Sequence, residues 1–142
     1  MNNVPVVASF LFAASATIVL LLGGLHMLYT YRGEKLFPRD AALVQRMQEV
    51  SPVISRQTTI WRAGIGFHAS HSMGAILFGA LYLFLAFEPS HFLFTSRFLL
   101  CLGFVYLAVM VVLARLYWFS IPFQGIALAA ALYAAGIVAV LA

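Results

Sequence analysis

Charge is the scarcest commodity in this sequence. Only 8% of its 142 residues are Asp, Glu, Lys or Arg, against roughly 25% in an average soluble domain. With 64% hydrophobic residues, the chain lacks the polar surface that a water-soluble fold needs. Cysteine is almost missing as well. Cys101 stands alone in an apolar run, which excludes an intrachain disulfide and a cysteine-based metal site. Acidic residues number four, and none lies in the long apolar stretches. The net charge of +4 is broken up by Glu34, Asp40 and Glu49, so the basic segment does not read as a nucleic-acid tail. Met1 to Val7 carries no Lys or Arg. The first apolar stretch is therefore expected to be a retained helix and not a cleaved leader.

What the sequence has is four apolar runs: Val4–Tyr31, Ala63–Phe87, Phe98–Ala114 and Phe123–Ala142. Each is long enough, with snorkelling Arg97 or Arg115 at the ends of the third, to cross a hydrocarbon core about 30 Å thick. Spanning segments must satisfy their own backbone hydrogen bonds, so each run is expected to be a helix. Seven of the eight basic residues then fall on one side: Arg32, Lys35, Arg39, Arg46, Arg56, Arg62 and Arg115, with Arg97 opposite. Positive charge in short loops marks the cytoplasmic face. The expectation is a multi-pass protein of the bacterial inner (cytoplasmic) membrane, N-out and C-out, with residues 1–142 forming a single integral membrane domain.

The connection between the first two spans has structure of its own. Asp40 can cap a helix on which Leu43, Val44, Met47 and Val50 share one face, as in a short amphipathic helix lying in the interface. Ser51-Pro52 is expected to end that helix and to start the next, with Ser51 as N-cap. Trp61, Tyr117 and Trp118 fall at the same interface, where amphipathic rings anchor helices. Gly66, Ser70 and Gly74 recur every fourth residue, as do Ala127, Ala131, Ala135 and Ala139. Small residues at this spacing let helices approach closely, here within the chain in preference to a dimer seam. The fold class predicted is all-α: a four-transmembrane-helix bundle with a short interfacial amphipathic helix between helices 1 and 2.

Chemistry concentrates on the second span. Gln57, Trp61, Gly64, His68, His71, Ala75 and Gly79 follow at spacings of three or four and share a helix face. His68 and His71 lie roughly 9 and 13 Å along that helix from Arg62, and His26 roughly 7 Å from Tyr31. All three histidines fall in the inner leaflet, with Tyr29, Thr30 and Ser70 nearby. Gln124 enters the same layer from the last span. Arg32, Arg62 and Arg115 form a rim at three helix ends, where guanidinium groups can recognise phosphate or carboxylate. Intramembrane ionisable groups face a bundle interior or cavity, so the candidate ligand-binding set is His26, Arg32, Trp61, Arg62, His68, His71, Arg115 and Gln124. Packing alone also accounts for single histidines, as hydrogen-bonded glue between helices. A haem or metal held by His26, His68 and His71 is an alternative, weakened by the lack of any carboxylate in the layer.

The stretches KLFPRD (Lys35–Asp40), SRQTTIWRA (Ser55–Ala63), FHASHSMG (Phe67–Gly74) and ARLYWFSIPFQG (Ala114–Gly125) resemble a family of small bacterial four-helix integral membrane proteins. That resemblance covers most of the chain and implies the architecture without an activity. A looser, topological likeness is to the membrane-associated eicosanoid and glutathione metabolism superfamily, which also has four helices, a basic first cytosolic loop and inner-leaflet chemistry. That superfamily tends to carry Arg, Asn and Glu together on helix two. Here Arg62 and His68 are present, but no Asn or Glu follows Arg62 in that helix. The functional expectation is a protein that binds a lipid, quinone or other small amphiphile, or serves as an accessory subunit of a larger membrane complex or homo-oligomer. Nucleic acid is not an expected partner. The alternative is a membrane-embedded enzyme using histidine acid/base chemistry or a glutathione-transferase-like activity.

Overall fold

The computed structural model describes residues 6–142 and contains six helices among them: α1 (Val6–Tyr31), α2 (Ala41–Glu49), α3 (Ile60–Phe87), α4 (Phe92–Thr95), α5 (Arg97–Tyr117) and α6 (Ser120–Leu141). Four of these, α1, α3, α5 and α6, are long and apolar enough to span a membrane. The chain is a small, all-helical, multi-pass integral membrane protein, with α2 as the short helix between the first two spans. Positions 4 and 5 of the first expected span lie outside the described residues.

Helix ends are set by local hydrogen bonding. Gly33, at φ 79°, takes the left-handed conformation that ends α1, and Arg32 N–H still donates to Leu28 O at 2.8 Å. Asp40 caps α2 as expected: its carboxylate accepts from Ala42 N–H at 2.9 Å and Leu43 N–H at 3.4 Å. The next helix does not start at Pro52. Residues 51–59 form turns, in which Ser55 N–H donates to Pro52 O and Ser55 Oγ accepts from Gln57 N–H at 3.1 Å. That side-chain bond competes with a helical one, and Val53, Ile54, Thr58 and Thr59 add β-branched residues that favour extended backbone. Thr59 is the cap of α3 instead, its hydroxyl accepting from Arg62 N–H at 3.3 Å. Gln57 is consequently off the helix that carries Trp61, His68 and His71. Before α5, Ser96 accepts from Leu99 N–H at 3.3 Å, and α4 fills the connection between α3 and α5.

The described chain falls into two compact units. The larger comprises residues 6–22 and Ala75–Ala142. In it, Ala8, Phe12, Ser15, Ala16 and Val19 of α1 are buried, a stripe at helical spacing. Lipid tails are as apolar as leucine, so packing and hydrogen bonds must hold these helices together. Glycine supplies the close approaches. A Cβ at Gly79 would lie 2.7 Å from Leu20 atoms, and one at Gly136 would lie 3.0 Å from the Phe12 ring. One at Gly103 would run into the Tyr133 hydroxyl and the Tyr82 ring. Those tyrosines bond to α5 from two sides: Tyr82 Oη donates to Leu99 O at 2.8 Å, and Tyr133 Oη lies 3.3 Å from both Leu99 O and Leu100 O. Ser15 Oγ donates to Ala129 O at 2.7 Å. Phe12 meets Tyr133 edge-on, with centroids 4.7 Å apart.

The small-residue stripes do little of this packing: Ala127 and Ala139 are half-buried, with Ala139 against the core. Gly66, Ser70, Gly74, Ala131 and Ala135 are exposed, and the buried face of α6 is Ile126, Ala129, Tyr133 and Gly136. In the α3–α4 connection, the Glu88 carboxylate accepts from the Ser90 hydroxyl and backbone N–H. These bonds hold its pKa below the ordinary carboxylate value.

Candidate ligand-binding site

The smaller unit, Gly23–Gly74, contains the last turns of α1, the basic connection with α2, and the first turns of α3. His26 projects from α1; His68 and His71, three residues apart, project from one side of α3. His26 Nε2 and His68 Nδ1 are 3.2 Å apart, a direct hydrogen bond between two imidazoles. The His71 ring stands edge-on to His26 with centroids 5.6 Å apart, and Phe67 lies parallel to His71 at 6.4 Å. All three histidines are half-buried. Hydroxyls tie down the backbone at both bonded residues: Thr30 Oγ1 donates to His26 O and Ser72 Oγ to His68 O, each at 2.8 Å.

A cavity of about 320 Å³ opens beside His68. It is lined by Leu36, Phe37 and Pro38 of the connection, Met47 of α2, Trp61, Gly64, Ile65 and His68 of α3, and Thr30 of α1. Phe37 packs edge-on to Trp61, centroids 4.6 Å apart, and this pair fixes the connection against α3. Gly64 leaves open space: a Cβ there would meet nothing within 4 Å. The cavity is therefore apolar-walled with an imidazole at its margin, the usual composition of a small-molecule site. The larger unit carries an apolar groove of about 450 Å³ lined by Leu20, Ala80, Leu83, Phe84, Phe87, Glu88 and Pro89.

The expected site residues divide as follows. Trp61 and His68 line the cavity, His26 is bonded to His68, and His71 packs on His26. Arg32 and Arg62 belong to the same unit and are exposed, Arg62 in the first turn of α3 beside Trp61. Arg115 and Gln124 belong to the larger unit; both are exposed, and the Arg115 guanidinium lies 5.9 Å from the Phe123 ring centroid. Tyr29 receives the Lys35 ammonium over its ring at 4.1 Å. Ser70 donates to Phe67 O within its own helix.

Phe37, Met47 and Gly64 line the cavity without being among the residues expected of a ligand site. The signal for Phe37 was an aromatic next to Pro38 just past a helix end; for Met47 it was the apolar face of α2. Gly64 carried no signal beyond its place on the histidine face.

Chemically, the imidazole pair can relay a proton, one ring taking up a proton at its outer nitrogen as the other releases one from its own, and His68 can donate to or accept from a molecule in the cavity. Among the described residues, no three His, Cys, Asp or Glu side chains are arranged to hold a metal ion. His26 Nε2 and His68 Nδ1 are directed at each other, so this pair does not present two nitrogens to opposite faces of a haem. Comparison with known proteins adds no relative: no family model, no curated protein and no solved structure matches the chain.

Proposed function

We propose that this protein binds a lipid, quinone or other amphiphile in the cavity beside His68, in the inner leaflet of the bacterial cytoplasmic membrane. One observation carries the reading. The cavity has the size of a small-ligand site, about 320 Å³, and it joins apolar walls to a hydrogen-bonded imidazole pair. A tail fits the apolar side and a polar neck meets His68. Arg32 and Arg62 stand at the loop-side ends of α1 and α3, where a charged headgroup would lie. The inner-leaflet assignment rests on the basic connection and predicts both termini outside.

Two measurements test this. In a Cys101→Ser background, Gln48→Cys should resist a membrane-impermeant maleimide in intact cells; labelling from outside would reverse the orientation. Separately, the wild type and Gly64→Leu should be purified in mild detergent and their bound amphiphiles identified by mass spectrometry. Because Gly64 faces open space, the variant should fold normally and retain at least ten-fold less of the bound species. Equal retention by the two proteins would rule the cavity out.

A further inference from the structure

The hydrogen bond between His26 Nε2 and His68 Nδ1 restricts what the cavity can recognise. The aromatic and apolar residues of this layer offer His68 no carboxylate. Glu34, Asp40 and Glu49, the acids of this unit, are all exposed in the connection or α2. The His71 ring stands edge-on to His26. An imidazolium in this position would be an unpaired charge at membrane depth, which is costly. A neutral pair of imidazoles holds two protons, one on each ring.

Two arrangements satisfy the bond. In one, His26 Nε2–H donates to His68 Nδ1, and His68 carries its own proton on Nε2. In the other, His68 Nδ1–H donates to His26 Nε2; His68 Nε2 is then bare, and His26 holds its proton on Nδ1. Both keep the 3.2 Å contact and the neutral count. They differ in what His68 Nε2 presents: a donor in the first, an acceptor in the second. The bond to His26 takes up Nδ1, which leaves Nε2 as the ring nitrogen through which His68 can meet a molecule in the cavity it lines.

We infer that the cavity takes a quinone and its quinol, a flat-ringed amphiphile whose oxygens accept hydrogen bonds in one form and donate them in the other. The inference rests on the amphiphile reading above and concerns binding alone, with no electron transfer at this site. Three features select this class. The His68 edge can reverse its hydrogen-bonding sense without gaining charge. The Phe37 and Trp61 rings offer apolar surface to a conjugated ring. Gly64 leaves that part of α3 without a side chain, so a thin, rigid group can lie against the helix.

The test uses full-length protein in lipid nanodiscs with Trp118→Phe, which leaves Trp61 as the only tryptophan. Three probes share one decyl tail: a benzoquinone, its hydroquinone, and an alkylbenzene without oxygen. Binding is read as quenching of Trp61 by the quinone and as displacement of that quinone by the other two. Quinone and hydroquinone should bind within about three-fold of each other, and the alkylbenzene at least ten-fold more weakly. His68→Phe should bring both oxygenated probes down to the alkylbenzene level, and Gly64→Leu should abolish saturable binding of all three. If Gly64→Leu blocks binding but the oxygenated probes do no better than the alkylbenzene, the ligand class is wrong while the cavity reading stands. A ten-fold preference for one redox form would also sink the class, because the edge would then have a fixed sense. Quenching that Gly64→Leu leaves unchanged would reflect partition into the bilayer, and would remove both readings.

Discussion

Four helical glycines of each unit live under opposite conditions, with Gly23 of the smaller unit, which is buried, standing apart. In the larger unit, Gly79, Gly103, Gly125 and Gly136 each have a neighbouring side chain or backbone within 3.0 Å of where a Cβ would sit. In the smaller unit, Gly24, Gly64, Gly66 and Gly74 have nothing within 4 Å. The same residue therefore does two jobs. In the larger unit it lets helices and tyrosine rings come close where the bilayer supplies no hydrophobic driving force. In the smaller unit it keeps volume empty, and the cavity beside His68 uses part of that volume. Hydroxyls show a parallel division. Ser15, Tyr82 and Tyr133 bond across helices, whereas Thr30, Ser70 and Ser72 bond to carbonyls three or four residues back in their own helices.

One substitution, made in both units, gives the largest expected contrast. Gly103→Ala forces a methyl group against the Tyr133 hydroxyl and the Tyr82 ring, so it should destabilise the protein by about 1–3 kcal/mol. Gly66→Ala meets open space and replaces a poor helix former, so it should be neutral or stabilising by up to about 1 kcal/mol. Thermal unfolding in detergent reads both. Equal changes at the two positions would erase the distinction between the units.

A smaller contrast comes from the hydroxyls. Ser15→Ala removes an interhelical bond, and such bonds average about 0.6 kcal/mol in membrane proteins. Thr30→Val keeps the buried bulk, removes the back-bond to His26 O and should leave the midpoint within error of wild type. If Thr30→Val proves the more damaging, the hydroxyl is holding His26 for its bond to His68, and the smaller unit is more tightly built than its open glycines imply.

The four apolar helices, the Asp40 cap, the short helix α2 and the meeting of His26 with His68 and His71 were legible in the sequence, because each follows from a run length, a cap residue or a helical period. The packing was not. A four-residue spacing of small residues identifies a face without naming what lies against it, and Gly66, Ser70 and Gly74 satisfied the pattern while remaining exposed. The glycines that pack do so against particular side chains, such as Tyr133 at Gly103, and that pairing depends on the rotation of one helix against another. The start of α3 was misplaced for a local reason. Ser-Pro is a strong helix opener, but here Ser55 takes the Gln57 N–H and β-branched neighbours follow, so Thr59 becomes the cap. The walls of the cavity from Leu36, Phe37 and Met47 arise from how the connection folds back on α3, which no period in the sequence encodes.

One hydrogen bond has a consequence for engineering. Ile60 N–H donates to Val50 O at 2.8 Å, which fastens the end of α2 to the start of α3 like a clasp at the neck of a loop. Between them, Val53 and Ile54 are fully exposed. With the neck closed, the length of chain in the loop matters little to the helices on either side; each doubling costs only about 0.6 kcal/mol of closure entropy. The bend at Val53–Ile54 is therefore the natural seam at which to splice an affinity tag or a fluorescent domain into this protein while leaving both helices in register.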